Sequence, residues 1–448
     1  MYDVISAEER NVPAVGIFNE GFLEDARSAA SNRKMPPIRA IFSAIPCEAT
    51  DPDDIESGVD TIFDDVIKAL VRPLTEEEKS PKPREAEKLS RVVFSGDLDE
   101  VNLFFYRRGW SDGLPLVPPT EKKVKEMLAG TDLPADTLLG KLIPRQGKVT
   151  VEKIAINAVM AGCLPTYLPV LIAATQLLLD SEPGFQGFCT FGVSTGSWSP
   201  FWVISGPVRT ALRVNSGSGA FSPGNIANAA IGRAMGLIIK NLAGIRKGIE
   251  DMGVMGNPMK YSMVIAENEE ESPWEPLHVE FGLNKDDSSV TIAFPQSYIQ
   301  HWPVSTDDDG ILRSVMDHLQ RGFTHTLVFT PAHARILAKA GWTKRDIKEC
   351  IAESARNPFV MQPGAGGAPS NTLYQGHIKA RAGETVRIIR DPRTIRIIVA
   401  GGPGAFIAHV FGGGPTPGQH EIKKIELPGE WDKLVSKYRD VVPNYMRY

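Results

Sequence analysis

Between residues 215 and 241 the chain reads NSGSGAFSPGNIANAAIGRAMGLIIKN, with only Arg233 and Lys240 charged. From Gly224 onward Ile226, Ala230, Met235, Leu237 and Ile238 wrap around a helical axis. A helix apolar on most sides belongs in an interior. Ser222 followed by Pro223 predicts the N-cap and the first helical position. The small residues Ala227, Ala229, Gly232 and Gly236 admit close approach of neighbouring backbone. Ahead of the helix lies a loop of Asn215, Ser216, Gly217, Ser218 and Gly219. Free N–H groups and the positive end of a helix dipole beside such a loop suit a carboxylate or phosphate. A tightly packed helix with a glycine turn and no ligand would give the same pattern. The spacing matches neither GxGxxG nor GxxxxGK[ST], so no nucleotide class follows.

A chain of 448 residues exceeds one ordinary core, which predicts two or three domains. The net charge of −5 and the lack of a Lys/Arg cluster interleaved with aromatics argue against nucleic acid. No apolar run reaches the roughly 18 residues a membrane span needs. The polar start MYDVISAEER does not read as a signal peptide. Cys47, Cys163, Cys189 and Cys350 are widely spaced with no CxxC pair, which suits a reducing cytoplasm.

Residues 12–18 and 38–42 read as strands, residues 21–30 as a helix. Residues Ile55, Val59, Ile62, Phe63, Val66, Ile67 and Leu70 mark a second helix at 3.6 spacing. This predicts a small flavodoxin-like βαβα unit over residues 1–72. Two parallel strands cannot cover both their faces, so the rest of this chain or another chain must complete the sheet, and an oligomer is expected. Residues 73–92, charged and proline-bearing, read as a linker. Over 93–448, Thr120 and Thr150 read as helix caps, and residues 167–179 as a helix. Apolar runs at 201–204, 262–266, 290–294, 326–329 and 395–400 read as buried strands. Helices follow Thr330 and Thr343. The class is α/β or α+β: a large mixed catalytic body with a buried central helix.

The segment VPAVGIFNEGFLEDARSAASNRKMPPIRAIFSAIP, with the helix ending in KALV, resembles the second half of the UGSC-like domain. That family of predicted selenoproteins is named for a (Sec/Cys)-Gly-Ser-Cys motif. The resemblance places the motif at or before Met1, and it is absent here. It implies either a subunit whose partner carries the motif or a true start upstream of Met1. The segments RGWSDGLPLVPPT, VEKIAINAVMAGCLPTYLPV, NSGSGAFSPGNIANAAIGRA, IAENEEESPWEPLHVEFG and IVAGGPG resemble uncharacterised bacterial proteins found alongside, or fused to, UGSC-like domains.

Several constellations are candidates for chemistry. Cys163, in MAGCLP, lies between two predicted helices, where a following helix N-terminus would favour its thiolate; a small buried hydrophobe is the plain alternative. Cys47, Cys189 and Cys350 read as structural. The stretch ENEEESPWEPLHVE follows a buried strand and gathers Glu267, Glu269, Glu270, Glu271, Trp274, Glu275 and His278. Adjacent carboxylates in a closed site raise one another's pKa and supply acid–base chemistry. Glu267, Glu269 and His278 would be the ligands of a divalent metal, if one is bound. A solvated acidic loop is the alternative. Asp112 reads as a base, an orienting acceptor or an Asx-turn. Asn157, Asn225 and Asn228 on apolar helices need hydrogen-bond partners, either one another or a ligand. Arg233 reads as a carboxylate clamp or an internal ion pair. Residues 401–404 and 411–418 read as loops bordering the pocket, and His325 and His333 as structural.

Together these predict a cytoplasmic enzyme, an oxidoreductase or lyase, acting on a small organic anion held at residues 215–219 with Asn225, Asn228, Arg233 and Trp274. Cys163 would be the nucleophile or redox thiol, with Glu267, Glu269, His278 and Asp112 moving protons. With the family's selenol or thiol motif upstream, the reaction would be reduction or carbon–heteroatom cleavage through a sulfur adduct. The alternatives are a metal-dependent lyase or hydrolase built on the acidic cluster, and a non-catalytic subunit shielding a partner that carries the motif.

Overall fold

The structure, a computed structural model, describes residues 2–32, 39–45, 51–76, 90–179, 193–319, 324–358, 385–405, 407–414 and 421–442. Cys47, Cys189, most of the expected linker and the end of the 411–418 loop lie outside the described residues.

The N-terminal part runs α1 (Tyr2–Glu8), β1 (Gly16–Asn19), α2 (Leu23–Asn32), β2 (Ala40–Ser43) and α3 (Pro52–Val71). The two strands pair in parallel, with Gly16 opposite Ala40. Among the described residues no further strand joins them. Asp51 caps α3 by accepting from the Asp53 N–H, and Pro52 stands in the first turn, as helix starts favour. Ile62 is buried, yet Ile55, Val59, Phe63, Ile67 and Leu70 form an exposed apolar stripe along the same helix.

In the body, α4 (Leu98–Arg107) and α5 (Glu121–Met127) precede a hairpin of β3 (Leu138–Leu142) and β4 (Gly147–Thr150). The Thr150 hydroxyl accepts from the Lys153 N–H and starts α6 (Val151–Met160), after which comes α7 (Leu168–Leu179). Next come β5 (Phe201–Ser205), α8 (Val208–Ala211), α9 (Ile226–Ile238), β6 (Val264–Ala266), α10 (Leu277–Glu280), β7 (Ser289–Ala293) and β8 (Ser297–His301). Beyond them lie α11 (Asp308–Asp317), β9 (Thr324–Phe329), α12 (Pro331–Lys339) and α13 (Lys344–Ser354). The chain closes with β10 (Arg356–Pro358), β11 (Thr385–Arg387), β12 (Ile395–Val399), β13 (Ala408–Gly414), β14 (Ile422–Lys424) and α14 (Trp431–Tyr438). β8, β13 and β14, absent from the sequence reading, complete the sheets.

One sheet has the order β14-β7-β5-β6 and the other β12-β9-β13-β8, each mixing parallel and antiparallel pairs. Alternation along each strand sorts the side chains into three apolar layers. Trp202, Ile204, Val264, Val290 and Ile292 face the helices α6, α7 and α9. Leu327, Phe329, Ile395, Ile397 and Val410 face α11, α12 and α13. Phe201, Val203, Ile265, Val328, Ile398 and Phe411 meet between the sheets, with Phe201 and Phe411 stacked at 4.2 Å. The body is therefore a four-layer sandwich of helices, sheet, sheet and helices.

The helix α9 is the buried central helix expected, with Ala227, Ile231, Ala234, Met235 and Leu237 closed to solvent. It starts at Ile226, later than the Ser222–Pro223 signal implied. Gly224 has φ +104°, outside helical space, so the helix cannot form before it and Asn225 becomes the N-cap. A Cβ on Gly232 would lie 2.2 Å from Ser262 Oγ, which is the close approach its small side reserved.

Candidate active site

The strand β6 delivers Glu267 at its C-terminal end, beside the end of β5. Glu267 is fully buried. Its Oε2 accepts from the Leu277 N–H at 2.8 Å and from the Ser205 hydroxyl at 3.4 Å. Its Oε1 has no hydrogen-bond partner, and Lys344 Nζ stands 3.8 Å away. Burial pushes the Glu267 carboxyl up to about 7, against the pull of the Lys344 ammonium. A carboxyl in that state gives or takes a proton near neutral pH.

Around it stand Glu269 and His278, as the sequence grouping implied. Glu269 Oε1 accepts from the Gly206 N–H at 2.5 Å and pairs with Arg209 at 3.1 Å. Arg209 also grips Glu270 with two hydrogen bonds, at 2.9 and 2.6 Å, and holds that carboxyl below its ordinary range. His278 is fully buried, with Nε2 on the Lys285 carbonyl and Nδ1 3.9 Å from Glu269 Oε1. The metal arrangement expected of Glu267, Glu269 and His278 does not form. Glu269 is spent on Gly206 and Arg209, and an ammonium occupies the open side of Glu267. Among the described residues no group of three His, Cys, Asp or Glu is placed to hold a metal ion.

Lys344 opens α13 and lines a cleft of about 410 Å³, together with Leu277, Glu280, Lys348 and Arg396. Glu280 pairs with both lysines. Arg396, from β12, is buried against Glu421; its Nε donates to Glu421 Oε2 at 2.7 Å. Lys344, Lys348, Arg396 and Glu421 escaped the sequence reading. Arg396 had a legible signal, a lone cation in the apolar run IRIIVA that must find an anion when buried.

The other expected residues lie elsewhere or are already engaged. Cys163 sits in the aliphatic layer between helices and sheet, and its thiol donates to the Ala230 carbonyl at 3.3 Å. Burial pushes that thiol well up, away from the thiolate, so the dipole-activated nucleophile is corrected to a core residue. Burial outweighs the pull of the Arg233 guanidinium, which by itself would favour the thiolate.

The 215–219 loop does reach the strand end, since the Ala266 N–H donates to the Asn215 carbonyl and the Gly401 N–H to the Ser216 carbonyl. Its asparagine side chains are nevertheless used internally. Asn228 accepts from the Asn215 N–H at 2.8 Å and donates back to the Asn215 carbonyl at 3.0 Å. Asn225 accepts from Asn215 Nδ2 and donates to the Gly219 and Ser222 carbonyls. Gly217 N–H is taken by Asn215 Oδ1, and Gly402 packs against Ser218. The asparagines expected to hold an anion thus brace the loop itself.

Arg233 is an internal ion pair: Nε and Nη2 clasp Asp112 at 2.8 and 3.0 Å. Asp112 also accepts from the Leu114 N–H, forming the Asx-turn. Burial raises the Asp112 carboxyl, but the Arg233 contacts outweigh it and hold the pKa below its ordinary value. Asn157 accepts from Asn241 at 2.9 Å. Trp274 donates Nε1 to the Trp342 carbonyl and stacks edge-on to Phe329, anchoring the loop rather than facing the cleft.

Comparison of the chain with protein-family models, with curated proteins and with solved structures gave no match.

Proposed function

We propose that this chain is an acid–base enzyme of the lyase kind acting on a small organic anion. The anion enters the cleft lined by Lys344, Lys348 and Arg396, and Glu267 moves the proton. The observation that carries the reading is the fully buried Glu267 carboxyl near pKa 7, one oxygen held and the other open beside Lys344. As carboxylate, Glu267 takes a proton from the substrate; as acid, it returns that proton to the departing group. Lys344 stabilises whichever negative charge is present at that moment. Glu269 and His278 support this wall. A cytoplasmic setting belongs to the proposal, on the unpaired spacing of the cysteines; among the described residues no helix is long and apolar enough to cross a membrane. The test is Glu267→Gln, which should cut turnover by about 10²-fold or more. Turnover within a few-fold of the wild type would end the reading.

A second reading is favoured by the exposed stripe of α3, which a free surface has no reason to keep apolar. In it, the N-terminal unit docks a partner subunit carrying the (Sec/Cys)-Gly-Ser-Cys motif, as the resemblance to the UGSC-like family implies. Co-expression with such a chain should give a complex that Phe63→Glu with Ile67→Glu disrupts, leaving the melting of this chain alone unchanged. A complex indifferent to both substitutions would reject that surface.

A further inference from the structure

Arg396 and Glu421 hold each other through one side only. Arg396 Nε donates to Glu421 Oε2 and Nη2 faces the same oxygen, whereas Arg396 Nη1 and Glu421 Oε1 are buried with no partner. Both side chains are more than nine-tenths buried, and Arg396 lines the cleft that Lys344 shares. Buried polar groups in folded proteins are almost always satisfied, so this pair is short of one acceptor for the guanidinium and one donor for the carboxylate.

The neighbouring polar atoms repeat the pattern. Ser289 Oγ and Thr291 Oγ1 on β7 are buried without partners. Strand alternation turns both toward the space between the sheets, where Ser289 stands directly opposite Ser205, the residue bonded to Glu267. Two more unpaired polar atoms thus lie on β7, between the strand that follows Glu421 and the strand that ends at Ser205.

We propose that the substrate is a small hydroxycarboxylate, its carboxylate accepting from Arg396 Nη1 and its hydroxyl donating to Glu421 Oε1. This rests on the acid–base reading above. Lys344 and Lys348 in the same wall supply the positive surroundings that a carboxylate needs. Glu421 Oε1 beside the guanidinium requires a donor, which a carboxylic acid lacking the hydroxyl cannot give. A phosphate dianion would place two charges against that same oxygen.

The test is equilibrium binding, read by calorimetry and thermal shift without turnover. The probes are 2- and 3-hydroxycarboxylates of three to six carbons, each with its deoxy acid and its amide, and inorganic phosphate. At least one hydroxy acid should bind about tenfold or more tightly than its deoxy acid and its amide, because a site with buried hydrogen-bonding groups rejects analogues that leave them unpaired. Arg396→Lys, which keeps the charge and loses the planar fork, and Glu421→Gln should each weaken that binding by about tenfold. Thr291→Val adds a readout that does not depend on those variants folding: losing an unpaired buried hydroxyl should raise the melting temperature of the free protein. Absence of binding by every hydroxy acid, equal binding of the deoxy acids, preference for phosphate, or binding unchanged in both Arg396→Lys and Glu421→Gln would overturn the proposal. Glu267→Gln separates the two claims. Hydroxy-acid binding with unchanged turnover removes the proton-transfer role of Glu267 and leaves the ligand class standing.

Discussion

Lys344 Nζ, at the start of α13, stands 3.8 Å from Glu267 Oε1, at the end of β6, with both side chains closed to solvent. Removing one member of a buried pair leaves the other charge uncompensated, at a cost of about 3 to 5 kcal/mol. Lys344→Met should therefore lower the unfolding free energy by about that amount above neutral pH, and by less in acid, where Glu267 is protonated. It should also move the Glu267 titration further up. Denaturant unfolding at several pH values measures both effects.

Glu267 gives the protein a distinctive pH dependence. Its carboxyl is raised from 4.5 to about 7 on folding, so the folded state binds the proton more tightly than the unfolded one. The resulting stabilisation is fully present below pH 4.5 and is lost as the pH rises through about 7. Its full size is on the order of 3 kcal/mol. In Glu267→Gln this slope should vanish from a plot of stability against pH. A slope that persists in the variant would assign it to other groups.

Cys163 should be dispensable for chemistry. Cys163→Ala removes a sulfur from a packed layer and should cost about 1 to 2 kcal/mol, with turnover unchanged. A thiol reagent should modify Cys163 in the native protein only at the rate of local opening, while half-buried Cys350 reacts sooner. Fast native labelling at Cys163, located by mass spectrometry, would contradict this placement.

The clasp between Arg233 and Asp112 ties the 111–115 loop to the central helix. Arg233→Ala should cost about 2 kcal/mol, because it also strips the Leu114 and Pro115 carbonyls of a donor. The Asp112 carboxyl is held below its ordinary range, so the pair contributes fully above that range. Its contribution fades as the pH falls through the lowered pKa. Chemical unfolding of the variant at neutral and acid pH should show the difference from wild type shrinking in acid.

Much of the local structure was legible. Thr120, Thr150, Thr330 and Thr343 cap helices in the structure because a hydroxyl followed by helix-forming residues satisfies the first free N–H groups. The run FWVIS formed a fully buried strand, since such a run on a pleated backbone covers both faces. The strands Ser297–His301 and Ala408–Gly414 were not legible: SYIQH alternates weakly, and AHVFGGG ends in glycines that read as loop. Their pairing is supplied by neighbours distant in the chain.

The amino-acid order alone determined that residues around 226–238 form an interior helix and that Glu267 and His278 fall together just beyond a buried strand. Helix periodicity and short chain separation are local properties, so no partner is needed to establish them. Tertiary packing decided which polar groups stayed open. It sealed Cys163 in aliphatic surroundings and closed the asparagine loop on itself. It also brought Lys344 and Arg396 to one cleft and set Glu421 against Arg396. Whether a side chain is spent or available depends on what faces it across space, and that opposing surface is set only when the two sheets meet.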